Sequence, residues 1–152
     1  MKVGYKMETL YKQIENIIDD KLPLVSNLAN VSALLFKMDN LNWAGFYLSN
    51  GEYLYLGPFQ GDVACTIIPF NKGVCGKAYS LKQTLVVDDV NKYDGHIACS
   101  SLSKSEIVVP IIYNDQVVAV IDIDSPIYSR FSEKEKMMLE KVAALLVPLF
   151  VE

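Results

Sequence analysis

Histidine and cysteine are both scarce in this chain. His96 is its single histidine, and its cysteines are Cys65, Cys75 and Cys99. No two cysteines form a Cys-x-x-Cys pair, so the spacing does not favour a structural zinc site. A Cys–His hydrolase is also weakly supported, because His96 lies only three positions before Cys99 and no third group is evident to orient it. We therefore expect no structural metal. No organic cofactor is expected either.

Long apolar runs and an excess of basic charge are absent as well. No run is long enough to span a bilayer, and residues 1–6 lack the apolar core of a signal peptide. Acidic side chains outnumber basic ones 18 to 14, which argues against nucleic-acid binding because phosphate recognition normally needs a basic face. The expected compartment is the cytoplasm, where three cysteines do not form a disulfide framework.

What the chain does contain is the pattern of one globular domain, with 51% hydrophobic and 21% charged residues. Apolar positions at helical spacing predict two N-terminal helices. In the first, the residues facing the core are Leu10, Ile14, Ile17 and Ile18. Pro23 opens the second. Ser132 and Glu135 form a capping box that opens a C-terminal helix. The whole predicts an α+β fold, with a mostly antiparallel central sheet and helices packed on it. The predicted strands are residues 42–49, 53–59, 66–69, 84–87, 106–113 and 116–123, with a short helix at 73–81 and a polar loop at 88–105.

Three acidic residues lie at the open end of the last predicted hairpin. Asp122 and Asp124 alternate with isoleucines, so both project from the same face of their strand. A tight turn at residues 114–115 would place Glu106 beside them. If that face is buried, the like charges raise at least one carboxyl pKa and create a proton donor. The alternative is that all three carboxylates face solvent.

Aromatic side chains and cysteines form the other candidate groups. Trp43 and Tyr47 share one face of the first strand, where aromatic rings suit a thioether or methyl group, or simply fill the core. Cys99 lies in the long polar loop, and such loops are often functional. Cys65 precedes a predicted strand, and Cys75 lies among glycines. The odd number of cysteines fits working thiols, although buried cysteines also serve as small apolar residues.

Taken together, these residues resemble the free methionine-(R)-sulfoxide reductases built on a GAF domain. The resemblance covers roughly residues 30 to 150, and the cysteine set with the His-Ile-Ala-Cys run is its most specific part. Six runs carry it: NWAGFY at 42–47, LGPFQG at 56–61, GVCG at 73–76, GHIAC at 95–99, SEIVVP at 105–110 and IDIDS at 121–125. It implies a single GAF-like catalytic domain over residues 1–152.

The resemblance also implies a division of labour. Cys99 matches the catalytic cysteine, and Cys65 is the favoured resolving thiol, with Cys75 as an alternative or auxiliary thiol. Trp43 and Tyr47 match the aromatic wall around the sulfur end of the substrate. Free methionine sulfoxide is then the substrate and thioredoxin the reductant. Glu106, Asp122 and Asp124 match the carboxylates of the substrate pocket.

Two other classes of function stay open on the sequence. One is a GAF module that binds a small ligand or senses redox state without turnover. The other is a structural or dimerising domain, in which the carboxylates are solvated and Cys99 is inert. The amphipathic helices at both ends are compatible with a homodimer and do not require one.

Overall fold

A computed structural model describes residues 3–95 and 102–151 of the chain. Within these residues, four α-helices and six strands follow one another with two short 3₁₀ turns. The helices are α1 (Val3–Ile17), α2 (Leu24–Leu35), α3 (Gly73–Leu81) and α4 (Glu133–Leu146), and the 3₁₀ turns are Val90–Lys92 and Val147–Phe150. The strands are β1 (Trp43–Ser49), β2 (Tyr53–Gly61), β3 (Ile67–Pro69), β4 (Leu85–Val87), β5 (Ser105–Tyr113) and β6 (Gln116–Ser125).

The six strands form one sheet in the order β3-β2-β1-β6-β5-β4, and every neighbouring pair is antiparallel. Two hairpin turns set this topology. Gly51 adopts a φ of 91° between β1 and β2, while Asn114 and Asp115 adopt φ values of 50° and 64° between β5 and β6. Positive φ at both central residues is the type I′ signature, whose twist matches that of the flanking strands. The predicted α+β fold with its antiparallel sheet is confirmed.

The two faces of the sheet carry separate apolar clusters. On β1, Ala44 and Phe46 point into the larger cluster, which α1, α2 and α4 cover. Trp43 and Tyr47 point to the opposite face, where they pack in a second cluster with α3. This alternation follows from the two-residue period of a strand. The candidate site therefore lies on the α3 face, and the end helices stabilise the sheet from behind.

Two details differ from the sequence prediction. Ile17, predicted to face the core, is 43% exposed, because it is the last residue of α1 and lies beside the stripe that Leu10 and Ile14 form. The predicted loop at 88–105 is not wholly irregular. Its backbone forms the 3₁₀ turn Val90–Lys92, and Val90 is buried in the second cluster.

The start of α4 is held by the predicted capping box and by a buried ion pair. The Glu135 carboxylate accepts from the backbone N–H of Ser132 at 2.7 Å and from the Ser132 hydroxyl. Arg130 Nη1 donates to the same carboxylate at 3.1 Å, and its Nε donates to the Asp39 carbonyl oxygen. Burial acts to raise the pKa of Glu135, but the hydrogen bonds from Ser132 and Arg130 outweigh it and hold this pKa below its usual value.

Glu135→Gln is expected to lower the free energy of unfolding by about 2 kcal/mol at neutral pH, the scale of hydrogen bonds to a charged group. Folding lowers the pKa of Glu135. The contribution of its charge to the free energy of unfolding is therefore present above the ordinary carboxyl pKa, and it is lost as pH falls through the pKa of the folded protein. Urea denaturation at several pH values measures this. Glu133→Gln, an exposed substitution in the same helical turn, is the control. An equal loss in both variants, or a loss independent of pH, would contradict the account.

Candidate active site

The three predicted carboxyl groups meet on the α3 face of the sheet. The β5–β6 register pairs Glu106 with Asp124 and Val108 with Asp122, so all three acids project into the second cluster. Glu106 and Asp122 are each only 6% exposed, and the Glu106 carboxyl hydrogen-bonds with both aspartates. The alternative in which these groups face solvent is wrong. The apolar side chains of the neighbouring strand positions withdraw them from water.

Burial changes the protonation of this cluster. Desolvation, and then the charges of Asp122 and Asp124, raise the pKa of Glu106 well above its ordinary value. Desolvation and Asp122 likewise raise the pKa of Asp124, while its hydrogen bond with Glu106 acts in the opposite direction. The hydrogen bond between the two groups raises the pKa of Glu106 and lowers that of Asp124. Glu106 is therefore the protonated donor, and the Asp124 carboxylate is the acceptor. A buried carboxylic acid that keeps its proton near neutrality can act as a general acid.

Cys75 lies against the same carboxyl groups. It sits in the first turn of α3 at 3% exposure, with a free thiol. Burial, then Asp122 and Glu106, raise the pKa of this thiol well above its ordinary value. A thiol that holds its proton is a poor nucleophile. The next residue, Gly76, lets this turn of α3 pack closely on the preceding segment, because a Cβ atom there would lie 2.7 Å from the Pro69 carbonyl oxygen.

A wall of stacked aromatic rings borders the cluster. The Trp43 ring stacks on Tyr47 with centroids 5.9 Å apart, and on Phe59 at 5.1 Å. Gly45 leaves room for this, because a Cβ atom there would lie 2.3 Å from Phe59 Cβ. Burial, followed by the charge of Asp122, raises the pKa of Tyr47, which keeps its hydroxyl neutral and able to donate. The wall presents flat apolar surface of the kind that binds methyl and thioether groups.

The aromatic wall is tied to the segment that contains Cys65. Tyr47 Oη donates to the Cys65 carbonyl oxygen at 2.8 Å, and Trp43 Nε1 donates to the Asp62 carbonyl oxygen at 3.0 Å. Cys65 is half-buried and disulfide-bonded, in contrast to the free thiol of Cys75. The predicted nucleophile Cys99 and the neighbouring His96 lie outside the described residues.

Comparison with known proteins agrees with this arrangement. The GAF domain family model matches residues 23–147. The free methionine-R-sulfoxide reductase of Saccharomyces cerevisiae is 49% identical over 92% of this chain and 83% of its own length, and that of Escherichia coli is 41% identical over 90% and 84%. The chain belongs to this GAF-type reductase family.

Solved structures of the reductase family have the same fold. A free methionine-R-sulfoxide reductase from Neisseria meningitidis, in complex with its substrate, superimposes with a TM-score of 0.91 at 42% identity, covering 95% of this chain and 87% of that one. The reduced enzyme of Staphylococcus aureus superimposes with a TM-score of 0.90 at 46% identity, covering 95% of both chains. The family prediction made from the six sequence runs is therefore confirmed.

One residue at the candidate site is not among those predicted. Tyr93 packs against the second cluster, and its buried hydroxyl oxygen has no hydrogen-bond partner within residues 3–95 and 102–151. Burial, and then the charge of Glu106, raise its pKa. The sequence signal was only an aromatic residue in a polar loop, just before the GHIAC run. A neutral phenol with an unsatisfied hydroxyl is thus available to a ligand on this face.

One cluster in the described part of the chain has spacing suited to a metal ion. The Cys75 sulfur and one carboxylate oxygen from each of Glu106 and Asp122 lie within 4.8 Å of one another. The sequence could not show this group, because its members come from α3, β5 and β6. Hydrogen bonds join these groups, since Asp122 is a partner of both the Cys75 thiol and the Glu106 carboxyl. The expectation that no metal is needed stays a prediction.

The raised pKa values predict an unusual dependence of stability on pH. Folding raises the pKa values of Glu106 and Asp124. Their contribution to the free energy of unfolding is therefore greatest below the ordinary carboxyl pKa, and it is lost as pH rises through the pKa values of the folded protein. We expect the free energy of unfolding of the wild-type protein to fall as pH rises from about 5 to about 9. In Glu106→Gln, which removes one ionising group, the decline should be shallower.

Urea denaturation across this pH range checks the prediction. Glu52→Gln, at an exposed position in the β1–β2 turn, serves as the control and should leave the wild-type pH profile unchanged. Parallel profiles for wild type and Glu106→Gln would mean that Glu106 does not titrate within a buried cluster.

Proposed function

We propose that this protein reduces free L-methionine-(R)-sulfoxide to methionine. The observation that carries the proposal is the carboxyl cluster of buried Glu106 and Asp122 with half-buried Asp124. It lies beside the Trp43–Tyr47 wall and near a disulfide-bonded cysteine. Two relatives and two solved structures that resemble the chain carry the same activity in their names. The catalytic unit is proposed to be one GAF-like domain over residues 1–152.

In the proposed reaction the Cys99 thiolate attacks the sulfoxide sulfur. The sulfoxide oxygen is a poor leaving group unless it is protonated, so a nearby acid must supply a proton. Attack forms a transient bond between the Cys99 sulfur and the substrate sulfur. The protonated oxygen then transfers to Cys99: a Cys99 S–O bond forms, the substrate S–O bond and the transient S–S bond break, and methionine leaves while Cys99 is a sulfenic acid. The substrate sulfur gains the two electrons that the thiolate sulfur loses.

The carboxyl cluster is assigned two tasks in this reaction. Glu106 is the proposed proton donor, because it is buried and holds its proton. Another member, Asp122 or Asp124, pairs with the ammonium group of the substrate. The Trp43–Tyr47 wall packs against the methyl and thioether end. A site that encloses the ammonium group leaves no room for a preceding peptide unit, which explains a preference for the free amino acid.

Resolution of the sulfenic acid is assigned to Cys65. Its thiol condenses with the Cys99 sulfenic acid, releasing water and forming a disulfide. Cys65 is disulfide-bonded in this structure, whereas Cys75 is free, buried and disfavoured as a thiolate. We therefore treat Cys75 as an auxiliary group that packs against the acids. A dithiol reductant such as thioredoxin regenerates both thiols, as suits a cytoplasmic enzyme of oxidative-stress defence.

Within residues 3–95 and 102–151, no helix combines the length and apolar character that a membrane crossing requires. Homodimer formation stays a prediction, which light scattering on the purified protein tests.

Replacing the cysteines one at a time tests the assignments. Cys99→Ser should lower turnover of the free (R)-sulfoxide roughly a thousandfold or more, because the nucleophile is lost. Cys65→Ser should still release about one methionine per chain and then stop cycling with thioredoxin. Methionine release, measured by amino-acid analysis, distinguishes the two. Cys75→Ser is the matched control and should continue to cycle.

Retained turnover in Cys99→Ser would contradict the assignment of Cys99 as the nucleophile. Unimpaired cycling in Cys65→Ser would transfer the resolving step to Cys75 or to an external thiol. If the wild-type protein forms a disulfide stoichiometrically without releasing methionine, the chain is a redox-sensing GAF module instead.

Glu106→Gln isolates the proton donor. An amide of similar shape cannot deliver the proton, so kcat should fall about a hundredfold while KM changes little. Initial rates at varied sulfoxide concentration measure both constants. Exposed Glu52→Gln should behave like wild type. A large rise in KM with kcat unchanged would instead make Glu106 an ammonium-binding group.

A further inference from the structure

Two apolar side chains are exposed beside the cysteine segments. Val63, two residues before Cys65, is 88% exposed, the highest value among the large apolar side chains of the described residues. Leu102, three residues after Cys99, is 55% exposed. Single exposed apolar residues are common on protein surfaces. These two are distinctive because each flanks a cysteine of the proposed redox pair.

Hydrogen bonds anchor the two segments that carry these side chains at the same end of the sheet. Trp43 Nε1 donates to the carbonyl oxygen of Asp62, the residue before Val63. The adjacent Asn42 donates through Nδ2 to Ser103 Oγ at 3.1 Å, and Ser103 follows Leu102. Both segments are thus anchored to consecutive residues at the start of β1. We call Val63 and Leu102 the cysteine rim.

The disulfide of Cys65 places a geometric demand on any reductant. A thiolate must come within bonding distance of a disulfide sulfur, so a protein reductant necessarily covers the surface around that sulfur. Cys65 is only half-buried, so its segment is within reach from solvent. Apolar side chains at this position lose water when a protein covers them, which favours a protein partner over a small thiol.

We propose that the cysteine rim is the docking surface for a dithiol protein reductant, with Val63 as its main contact. This rests on the proposed function, because it takes the Cys65 disulfide as the oxidised product of the cycle. One reductant thiolate bonds to a disulfide sulfur, the S–S bond breaks, and the other enzyme cysteine leaves as a thiol. The second reductant thiol then displaces the enzyme, so two electrons and two protons pass to the enzyme cysteines and the reductant leaves as a disulfide.

The test compares a protein reductant with a small one on the same oxidised enzyme. Reduced thioredoxin or dithiothreitol is mixed with the oxidised chain, and new enzyme thiols are counted by alkylation and mass spectrometry. Since no sulfoxide is added, the result does not depend on catalytic activity. Val63→Asp should slow reduction by thioredoxin about tenfold, the effect of losing one buried valine contact. Reduction by dithiothreitol should keep its wild-type rate.

Two further variants make the comparison specific. Leu102→Asp should also slow reduction by thioredoxin but not by dithiothreitol, with a smaller effect than Val63→Asp. Val25→Asp, at a 61% exposed position on α2, is the matched control and should react with both reductants at wild-type rates. If Val63→Asp does not fold, Val63→Ser keeps the test open with a smaller selective loss.

Three outcomes would overturn the proposal. In one, Val63→Asp reacts with thioredoxin at the wild-type rate. In another, both reductants slow equally, which points to damage at the disulfide itself. In the third, light scattering shows that Val63→Asp dissociates a dimer, so that a second copy of the chain covers the rim. Failure of the proposed function differs from all three, because it leaves disulfide reduction intact while the wild-type enzyme releases no methionine.

Discussion

The pairing of β5 with β6 is the constraint on which the site depends. It aligns Glu106 with Asp124 and places Asp122 on the same face. Carboxylates are ordinarily kept apart in water, because like charges that are buried close together repel each other strongly. Here α3 and the aromatic wall cover the face, so the carboxyl groups share protons instead of ionising together. A slip of one residue in this register would turn the acids into the opposite cluster.

The rest of the fold supports that register. The end helices cover the other face of the sheet, and the buried Glu135–Arg130 pair fixes the start of α4, which packs against β5. Glycines at positions 45 and 76 allow close approaches that any Cβ atom would prevent. Because folding raises the pKa values of Glu106 and Asp124, ionising them in the folded protein costs stability, as is common at functional sites.

Much of this architecture could be predicted because its signals are local. Strand alternation indicated that Trp43 and Tyr47 share a face, and the turn at residues 114–115 placed Glu106 near the two aspartates. The capping box at Ser132 needed only four residues of sequence. Other features could not be predicted, because they depend on contacts between distant segments. Neither the position of Cys75 against β5 and β6 nor the unpartnered hydroxyl of Tyr93 has a signature in spacing. The burial of the acids was likewise undecided by pattern alone.

The central claim is that this site reduces one stereoisomer of one free amino acid. The most direct measurement supplies the purified protein with separated R and S methionine sulfoxides, each free and within a peptide, with a thioredoxin system, and follows methionine formation. The account predicts repeated turnover of the free R isomer, with the free S isomer and both peptide forms left essentially unchanged. Turnover of the S isomer or of a peptide, or no turnover of any form, would contradict it.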